Sequence, residues 1–234
     1  CVANVCQFIE KLGGKVSYIP VDHTGLIDLN ALEAAITPDT KLISVMYANN
    51  EFGTIQPMDE LVNIAQKHNI HLHSDAIQAL GKLPLNLSEL PIDFVSFSGH
   101  KLSGPKGIGA LYVKEGIEIL PFIYGGSQER SLRAGTENML GIVGFGEAVR
   151  CISQDNPSQN ERITALTTQL KDGLLSIPDS YLNGHPTQRL SNTINVSFRG
   201  VTAQSLMIAL DQKGIALSTG SACSSGSTEP SPML

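Results

Sequence analysis

Three short strand-like runs in this chain end abruptly in polar residues. Residues 42–46 (LISVM) lead into 47–51 (YANNE), residues 71–74 (HLHS) lead into Asp75, and residues 94–97 (FVSF) lead into 98–101 (SGHK). Runs of this length, bounded by polar groups, are typical of buried strands. In parallel α/β sheets, ligands bind beyond the carboxyl ends of the strands. We therefore expect these three polar groups to face one ligand.

Strand-like and helix-like segments alternate over the first two thirds of the chain. The helix-like segments are 2–12, 30–38, 57–67 and 141–152, and the strand-like segments are 15–21, 41–48, 71–76, 94–98 and 109–113. This alternation predicts an α/β fold with a mostly parallel sheet flanked by helices. Asn30 and Glu33 fit a capping box at the start of the second helix.

The polar stretch 154–160 (QDNPSQN) predicts a linker, because it contains Pro157 and no apolar residue. We divide the chain there into a large domain, residues 1–157, and part of a smaller α+β domain, residues 158–234. The second part predicts a helix over 161–177, a strand over 193–198 and a helix over 203–213. The chain lacks an initial Met, and this second part is too short to close a core well, so we expect missing sequence at both ends.

The composition excludes several classes of protein. A hydrophobic content of 41% is enough for a packed core, and a formal charge of −6 argues against a dedicated nucleic-acid surface. No apolar run is long enough to predict a membrane span. The four cysteines, at positions 1, 6, 151 and 223, do not have the paired spacing of a metal site. A free reactive thiol suits a reducing compartment, so we expect a cytoplasmic protein, with a mitochondrion or plastid as alternatives.

Lys101 is the first candidate for catalysis. A lysine at the mouth of a buried strand can lose solvation, which lowers its pKa and makes it an amine that forms Schiff bases with carbonyl compounds such as pyridoxal phosphate (PLP). Ser98 and His100, beside it, are candidates for binding a phosphate. An ordinary loop lysine is the alternative.

Asp75, Gln78 and Asn50 complete the first set of candidates. PLP enzymes need an Asp close to the pyridine nitrogen, because the protonated ring is the electron sink. Gln78 shares a face with Asp75 if the chain turns helical after the strand, and it can then donate to the ring's phenolic oxygen. Asn50 is a further polar group at a strand end. Ordinary loop positions are the alternative for all three residues.

Cys223 is a candidate nucleophile at the other end of the chain. It lies within residues 218–227 (STGSACSSGS), a run of small polar residues that predicts an exposed and mobile segment. An accessible thiol becomes a nucleophile once it is deprotonated. A surface cysteine in a flexible turn is the alternative.

Five segments together resemble the group I cysteine desulfurases of the NifS/IscS type, which are class-V aminotransferases among the fold-type I PLP enzymes. They are 47–57 (YANNEFGTIQP), 73–78 (HSDAIQ), 96–113 (SFSGHKLSGPKGIGALYV), 125–138 (GGSQERSLRAGTEN) and 218–231 (STGSACSSGSTEPS). The resemblance implies the PLP-transferase fold: a large domain with a mostly parallel sheet of the seven-stranded type, and a smaller α+β C-terminal domain.

The resemblance also implies a role for each candidate. Lys101 carries pyridoxal 5′-phosphate as a Schiff base and Asp75 pairs with the pyridinium nitrogen. Gln78 and Asn50 contact the ring oxygen of the cofactor, and Asn50 also faces the substrate carboxylate. Ser98 and His100 bind the cofactor phosphate. Thr136 reaches the phosphate of the neighbouring subunit in a homodimer, although a helix N-cap is a common alternative role for such a threonine.

The implied reaction converts L-cysteine to L-alanine and leaves a persulfide on Cys223. The sulfur then passes to an acceptor or iron–sulfur scaffold protein. The family's ring-stacking histidine and phosphate loop are expected before residue 1, and its carboxylate-binding arginine after residue 234. We therefore expect the 234-residue chain alone to bind PLP weakly and to be inactive.

The sequence is also compatible with two other functions. The first is another fold-type I PLP enzyme, namely an aminotransferase, a selenocysteine lyase or a C–S lyase, whose chemistry does not need Cys223. The second is a desulfurase-like protein that only binds a partner or scaffold protein. The presence of every motif residue that these segments can carry favours the enzyme.

Overall fold

A four-stranded sheet forms the centre of the computed structural model, which describes residues 2–219 and, over 154–159, only the backbone. The strands β1 (Leu42–Met46), β2 (His71–Asp75), β3 (Phe94–Ser98) and β4 (Gly109–Val113) lie side by side in chain order. β1, β2 and β3 are parallel, and β4 runs antiparallel to β3. The predicted mostly parallel α/β fold is confirmed, with four strands of its sheet in the described residues.

Five helices and a second, small sheet accompany the central sheet in the described residues. The helices are α1 (Val2–Lys11), α2 (Leu29–Ala35), α3 (Met58–Lys67), α4 (Met139–Leu175) and α5 (Ala203–Asp211). The strands β5 (Ser180–Leu182) and β6 (Val196–Phe198) pair antiparallel. None of the helices within residues 2–219 combines the length and the apolarity that a bilayer crossing requires.

The core lies between one face of the central sheet and helix α3. Side chains alternate between the two faces of a strand, and Ile43, Leu72 and Val95 are the buried apolar members of one face. Helix α3 buries Met58, Leu61, Val62 and Ala65, which recur at the spacing of one helical face. Packing on this face leaves the opposite face of the sheet for polar side chains.

Two local predictions in the first forty residues are wrong. Residues 15–20 form no strand, and only an isolated bridge between Val21 and Ile27 appears there, because the described residues offer this segment no neighbouring strand. The N-cap of α2 is Asp28 and not Asn30. The Asp28 carboxylate accepts from the backbone N–H groups of Asn30 and Ala31 at 2.9 and 3.0 Å, so it takes the donors that a cap must satisfy.

The predicted linker is also wrong, because α4 continues through it as one helix of 37 residues. The Gln, Asp, Asn and Ser residues that favour a linker are equally compatible with an exposed helix surface. A proline costs about 3 kcal/mol in a helix interior, and a long helix on both sides can bear that cost. The division of the chain into domains at residue 157 stays a prediction.

Candidate functional site

The second face of the central sheet carries most of the polar side chains of β1, β2 and β3. The registers Met46↔Asp75 and Asp75↔Ser96 place neighbouring side chains of β1, β2 and β3 on the same side. We call this side the polar face, and its polar members are Ser44, His71, His73, Asp75, Ser96 and Ser98. All of them remain at least partly exposed. The sheet therefore divides its faces between the apolar core and a surface that can bind a polar ligand.

His73 joins three strands on the polar face. Its Nδ1 lies 2.8 Å from the Ser44 hydroxyl oxygen, and its Nε2 lies 2.9 Å from the Ser96 hydroxyl oxygen. Burial lowers the pKa of His73, and the nearby Asp75 carboxylate opposes this shift only in part. A neutral imidazole donates from one nitrogen and accepts at the other, which two hydroxyl groups can satisfy. His73 thus holds the three strands together two residues before Asp75.

The lowered pKa of His73 predicts a pH-dependent stability. The unfolded chain binds a proton at His73 below about pH 6.5, whereas the folded chain resists it, so this stabilisation is complete above that pH and is lost as the pH falls through the lower folded value. Urea unfolding at about pH 7.5 and 5.5 measures the difference. The variant His73→Gln removes this titration and should show a shallower decline over the same interval. An equal decline in both proteins would contradict the assignment.

Asp75 and Gln78 lie at the carboxyl end of β2. The Asp75 carboxylate accepts from the Ile77 backbone N–H at 3.1 Å, which fixes it at the strand end. The chain then makes a helical turn, closed by the Leu80 N–H to the Ala76 carbonyl at 3.1 Å. Gln78 is buried on this turn, and its Oε1 accepts from the Lys82 ammonium group at 2.6 Å. The condition that the sequence argument for Gln78 requires, a helical turn after Asp75, is therefore met.

Ser98, His100 and Lys101 follow at the end of the adjacent strand β3. The Ser98 hydroxyl lies 2.7 Å from the Nδ1 atom of His100, and both residues precede Lys101 in a short 3₁₀ turn over Gly99–Leu102. At Gly99, a Cβ atom would come within 2.9 Å of the Ile108 side chain and 3.2 Å of the Pro105 carbonyl oxygen. Glycine is therefore required there for the loop to pack against the turn.

Lys101 is exposed, contrary to the desolvation that we expected for it. The reason is that the 3₁₀ turn carries it past the last residue of β3, on the rim of a cleft of about 720 Å³. Lys82 lines the same cleft, and helix α4 contributes Ala148 and Ile152 to its wall. The pKa of Lys82 is lowered mainly by burial and to a lesser extent by the positive charge of Lys101.

Asn50 is exposed in a tight turn after β1, and its neighbours hold that turn. The side-chain oxygen of Asn49 accepts from the backbone N–H groups of Glu51 and Phe52, both at 2.8 Å. The guanidinium group of Arg189 donates to the carbonyl oxygens of Phe52 and Thr193 at 2.9 and 3.0 Å. Arg189 therefore ties the turn that carries Asn50 to the segment before β6.

Replacing Arg189 should destabilise the protein. Arg189→Met leaves the carbonyl oxygens of Phe52 and Thr193 without this donor, and we expect a loss of about 2–3 kcal/mol in the free energy of unfolding. Arg189→Lys should restore only part of it, because an ammonium group does not reproduce the planar fork of a guanidinium group. Urea unfolding measures both variants, with the exposed Arg199→Met as the matched control. Equal losses in Arg189→Met and Arg199→Met would contradict the prediction.

Two further candidates, Thr136 and Cys223, are not among the residues of these strand ends. The N-cap of α4 is Asn138, whose side-chain oxygen accepts from the Gly141 N–H at 3.1 Å, so the alternative N-cap role of Thr136 is wrong. Thr136 is exposed, and its role in a neighbouring subunit stays a prediction. Cys223 lies outside the described residues. Of the other cysteines, Cys6 is half-buried on α1 and Cys151 is exposed on α4.

The structure thus brings five of the candidates to the ends of two adjacent strands. These are Asp75, Gln78, Ser98, His100 and Lys101. Lys82 and Arg189 were missed by the sequence analysis. Gln78 and Lys82 are four residues apart, and side chains at this spacing are neighbours on a helical turn. A helical turn after Asp75 would therefore have predicted their contact. Arg189 gives no such signal, because its partners are backbone carbonyl groups.

Known proteins resemble this chain in both sequence and structure. The chain is 48% identical over 233 residues to cysteine desulfurase IscS of Methanosarcina thermophila, an alignment that covers all of this chain and 58% of the relative. A structure titled NifS-like protein superposes with a TM-score of 0.89 at 39% identity, over 93% of this chain and 60% of that one. A structure titled SspA in complex with cysteine superposes at 0.84 with 37% identity, over all of this chain and 65% of that one.

The chain spans about three-fifths of the length of these relatives. The profile of the family described as Aminotransferase class-V matches residues 1–232. Because that profile covers nearly the whole chain, the chain belongs to the class-V aminotransferase family, and its resemblance to the cysteine desulfurases is confirmed.

Proposed function

We propose that this protein is a PLP-dependent cysteine desulfurase, which converts L-cysteine to L-alanine and transfers the sulfur through a persulfide on Cys223. One observation carries the proposal. An amine, a carboxylate and a hydroxyl–imidazole pair lie at the ends of adjacent strands β2 and β3, in a chain that is 48% identical to a cysteine desulfurase.

The residues at these strand ends fit PLP. The cofactor has an aldehyde that reacts with an amine, a pyridine nitrogen that needs a carboxylate, and a phosphate that needs hydrogen-bond donors. Lys101 supplies the amine, Asp75 the carboxylate, and the Ser98–His100 pair the donors. Gln78 and Asn50 add amide groups for the phenolic oxygen, and Asn50 also for the substrate carboxylate. Thr136 would reach the phosphate from a second subunit.

PLP, when bound, supplies an electron sink that stabilises negative charge at the substrate Cα. The Asp75 carboxylate, held by Ile77 at the end of β2, keeps a proton on the pyridine nitrogen and so maintains that sink. Lys101 is exposed on its turn, with a long flexible side chain that can take the Cα proton and return it. His100 and Ser98, hydrogen-bonded to each other, hold the phosphate and thereby the orientation of the ring.

Cys223 is the nucleophile of the sulfur transfer. Its thiolate attacks the sulfur atom of the substrate, a new S–S bond forms, and the Cβ–S bond breaks. The electron pair stays on Cβ, which takes up a proton, so that the carbon skeleton leaves as alanine. The product on the protein is the Cys223 persulfide, which a second thiol can accept. The small polar residues on both sides of Cys223 suit a segment that must carry sulfur outward.

The function is tested by the products formed from L-cysteine. We expect the full-length protein, reconstituted with PLP, to release alanine in equal amount to the sulfur found as persulfide or, with reductant, as sulfide. An eliminating C–S lyase would release pyruvate in place of alanine. Pyruvate as the main carbon product, or a protein that binds no PLP, would overturn the proposal.

We further propose a homodimer. Leu120, Phe122 and Leu140 are 87%, 94% and 89% exposed, and large apolar side chains left in water favour burial in an interface. Two-fold dimers are the commonest assembly. Sedimentation of the full-length protein at assay concentrations should give a dimer, and an active monomer would contradict this. For the cell, we propose a cytoplasmic or organellar protein that gives its sulfur to an acceptor or iron–sulfur scaffold protein.

A further inference from the structure

Lys82 lies beside the proposed cofactor site but is not one of the residues that contact the cofactor in the proposed function. It follows Gln78 by four residues on the turn after β2, and its ammonium group donates to the Gln78 side-chain oxygen at 2.6 Å. Gln78 is only 9% exposed and Lys82 is half-buried. Lys82 also lines the cleft that Lys101 lines. The hydrogen bond between Lys82 and Gln78 is therefore largely shielded from solvent and lies next to the proposed site.

The chemistry of the two side chains fixes the orientation of the amide. A glutamine amide carries an acceptor at Oε1 and two donors at Nε2, and these ends have nearly the same shape. A lysine ammonium group has three donors and no acceptor. Only the Oε1 end can therefore face Lys82, and the Nε2 end is left to donate elsewhere.

We propose that Lys82 is a positioning residue, which holds Gln78 with its Nε2 donors presented to the phenolic oxygen of PLP. This inference rests on the proposed function, since it needs the cofactor beside Gln78. The phenolic oxygen of the bound cofactor is an acceptor. A flipped amide would present Oε1 to it, so that a hydrogen bond would be replaced by repulsion between two oxygen atoms. Lys82 removes that alternative.

Two charged neighbours share the cleft with Lys82. Burial, and to a lesser extent the Lys101 charge, lowers the pKa of Lys82. Glu147, the carboxylate on the same cleft wall, is engaged by the Arg150 guanidinium group at 2.6 Å. Its pKa is lowered to about 2 by hydrogen bonds from Arg150 and Cys151, so it stays ionised in that pair. The acceptor that Lys82 contacts is the Gln78 amide.

A double-mutant cycle on the full-length holoprotein tests the proposal. The variants are Lys82→Met, Gln78→Leu and both together, with Lys82→Arg as the conservative replacement. The matched control is Lys41→Met, because Lys41 is exposed and lies just before the first residue of β1. Two quantities are measured: the dissociation constant of PLP and the position of the visible absorption band of the bound cofactor. Far-ultraviolet circular dichroism establishes that each variant is folded.

We expect Lys82→Met to raise the PLP dissociation constant by about tenfold, the loss of one good hydrogen bond, and to shift the visible band. Lys82→Arg should restore both quantities, because a guanidinium group is also a donor without an acceptor. In the Gln78→Leu background, Lys82→Met should change neither.

Three results would overturn the inference. The same tenfold loss in the Gln78→Leu background would mean that Lys82 acts on the cofactor without Gln78. An unchanged absorption band and an unchanged PLP dissociation constant in Lys82→Met would mean that the orientation of the Gln78 amide does not depend on Lys82. Failure of Lys82→Arg to restore the band would show that donor chemistry is not the cause. A wild-type protein that binds no PLP would instead overturn the proposed function, and this inference with it.

Discussion

Lys101→Ala should lower the turnover of L-cysteine by about a thousandfold or more in the full-length protein, and should leave PLP removable by dialysis. Proton transfer by a positioned side chain contributes roughly 10²–10⁴-fold to such reactions, and in the proposed mechanism Lys101 also supplies the amine that anchors the cofactor. The expectation follows from the position of Lys101 directly after β3, on the turn that also carries Ser98 and His100. Production of alanine from L-cysteine is the measurement.

Borohydride provides a test of the attachment that does not depend on activity. It reduces a C=N bond between lysine and PLP to a stable C–N bond, so the wild-type protein should keep the cofactor on a peptide containing Lys101. Lys101→Ala should keep none, whereas the exposed neighbour Lys106→Ala should behave like the wild type. The cofactor found on Lys82, the other lysine of the cleft, would contradict the assignment.

The second large effect is expected at Cys223. Cys223→Ala and Cys223→Ser should keep the colour of the bound cofactor and still respond spectrally to L-cysteine, yet lose nearly all alanine formation. The reason is that, in the proposed mechanism, no thiolate remains to accept the substrate sulfur, whereas the residues proposed to hold PLP and the amino acid are all retained. Mass mapping of the wild type after one turnover without reductant should find an added sulfur atom on Cys223.

The other cysteines supply the controls for this experiment. Cys6 on α1 and Cys151 on α4 are borne by helices, and their alanine variants should keep turnover with at most a modest loss of stability. Cys151 is the more stringent control, because it lines the cleft that holds Lys101. Full activity in Cys223→Ala, or a persulfide found only on Cys151, would favour a C–S lyase over a desulfurase.

The strands and helix that form the core could be predicted from the sequence, because burial of one face leaves a visible pattern. β3 and β4 occupy the same residues as predicted, and α3 begins one residue after the predicted Pro57. The segment 15–21 has the composition of a strand, but a strand also needs a partner. The helical state of residues 154–160 was hidden because polar residues are equally suited to a linker and to an exposed helix.

The candidate site was predictable to a similar extent. Strand ends that carry polar residues identify Asp75, Ser98 and Lys101, since parallel strands bring their carboxyl ends together. The exposure of Lys101 was not predictable, because it depends on how far the 3₁₀ turn extends past the strand. The role of Arg189 was also hidden, since it donates to the Phe52 carbonyl oxygen 137 residues away and carbonyl groups carry no sequence signature.

The unbroken helix α4 constrains how the parts of this protein can move. A helix of 37 residues, at 1.5 Å per residue, is a rod about 55 Å long. Hinges are a few loop or element-terminal residues that absorb a large change of backbone angles, and a continuous helix offers few of them apart from an interior proline such as Pro157. Opening or closing around a ligand would therefore pivot at Pro157 or beyond the ends of α4, near Gly135 or Asp179, whose φ angles of 101° and 57° already lie in the left-handed region.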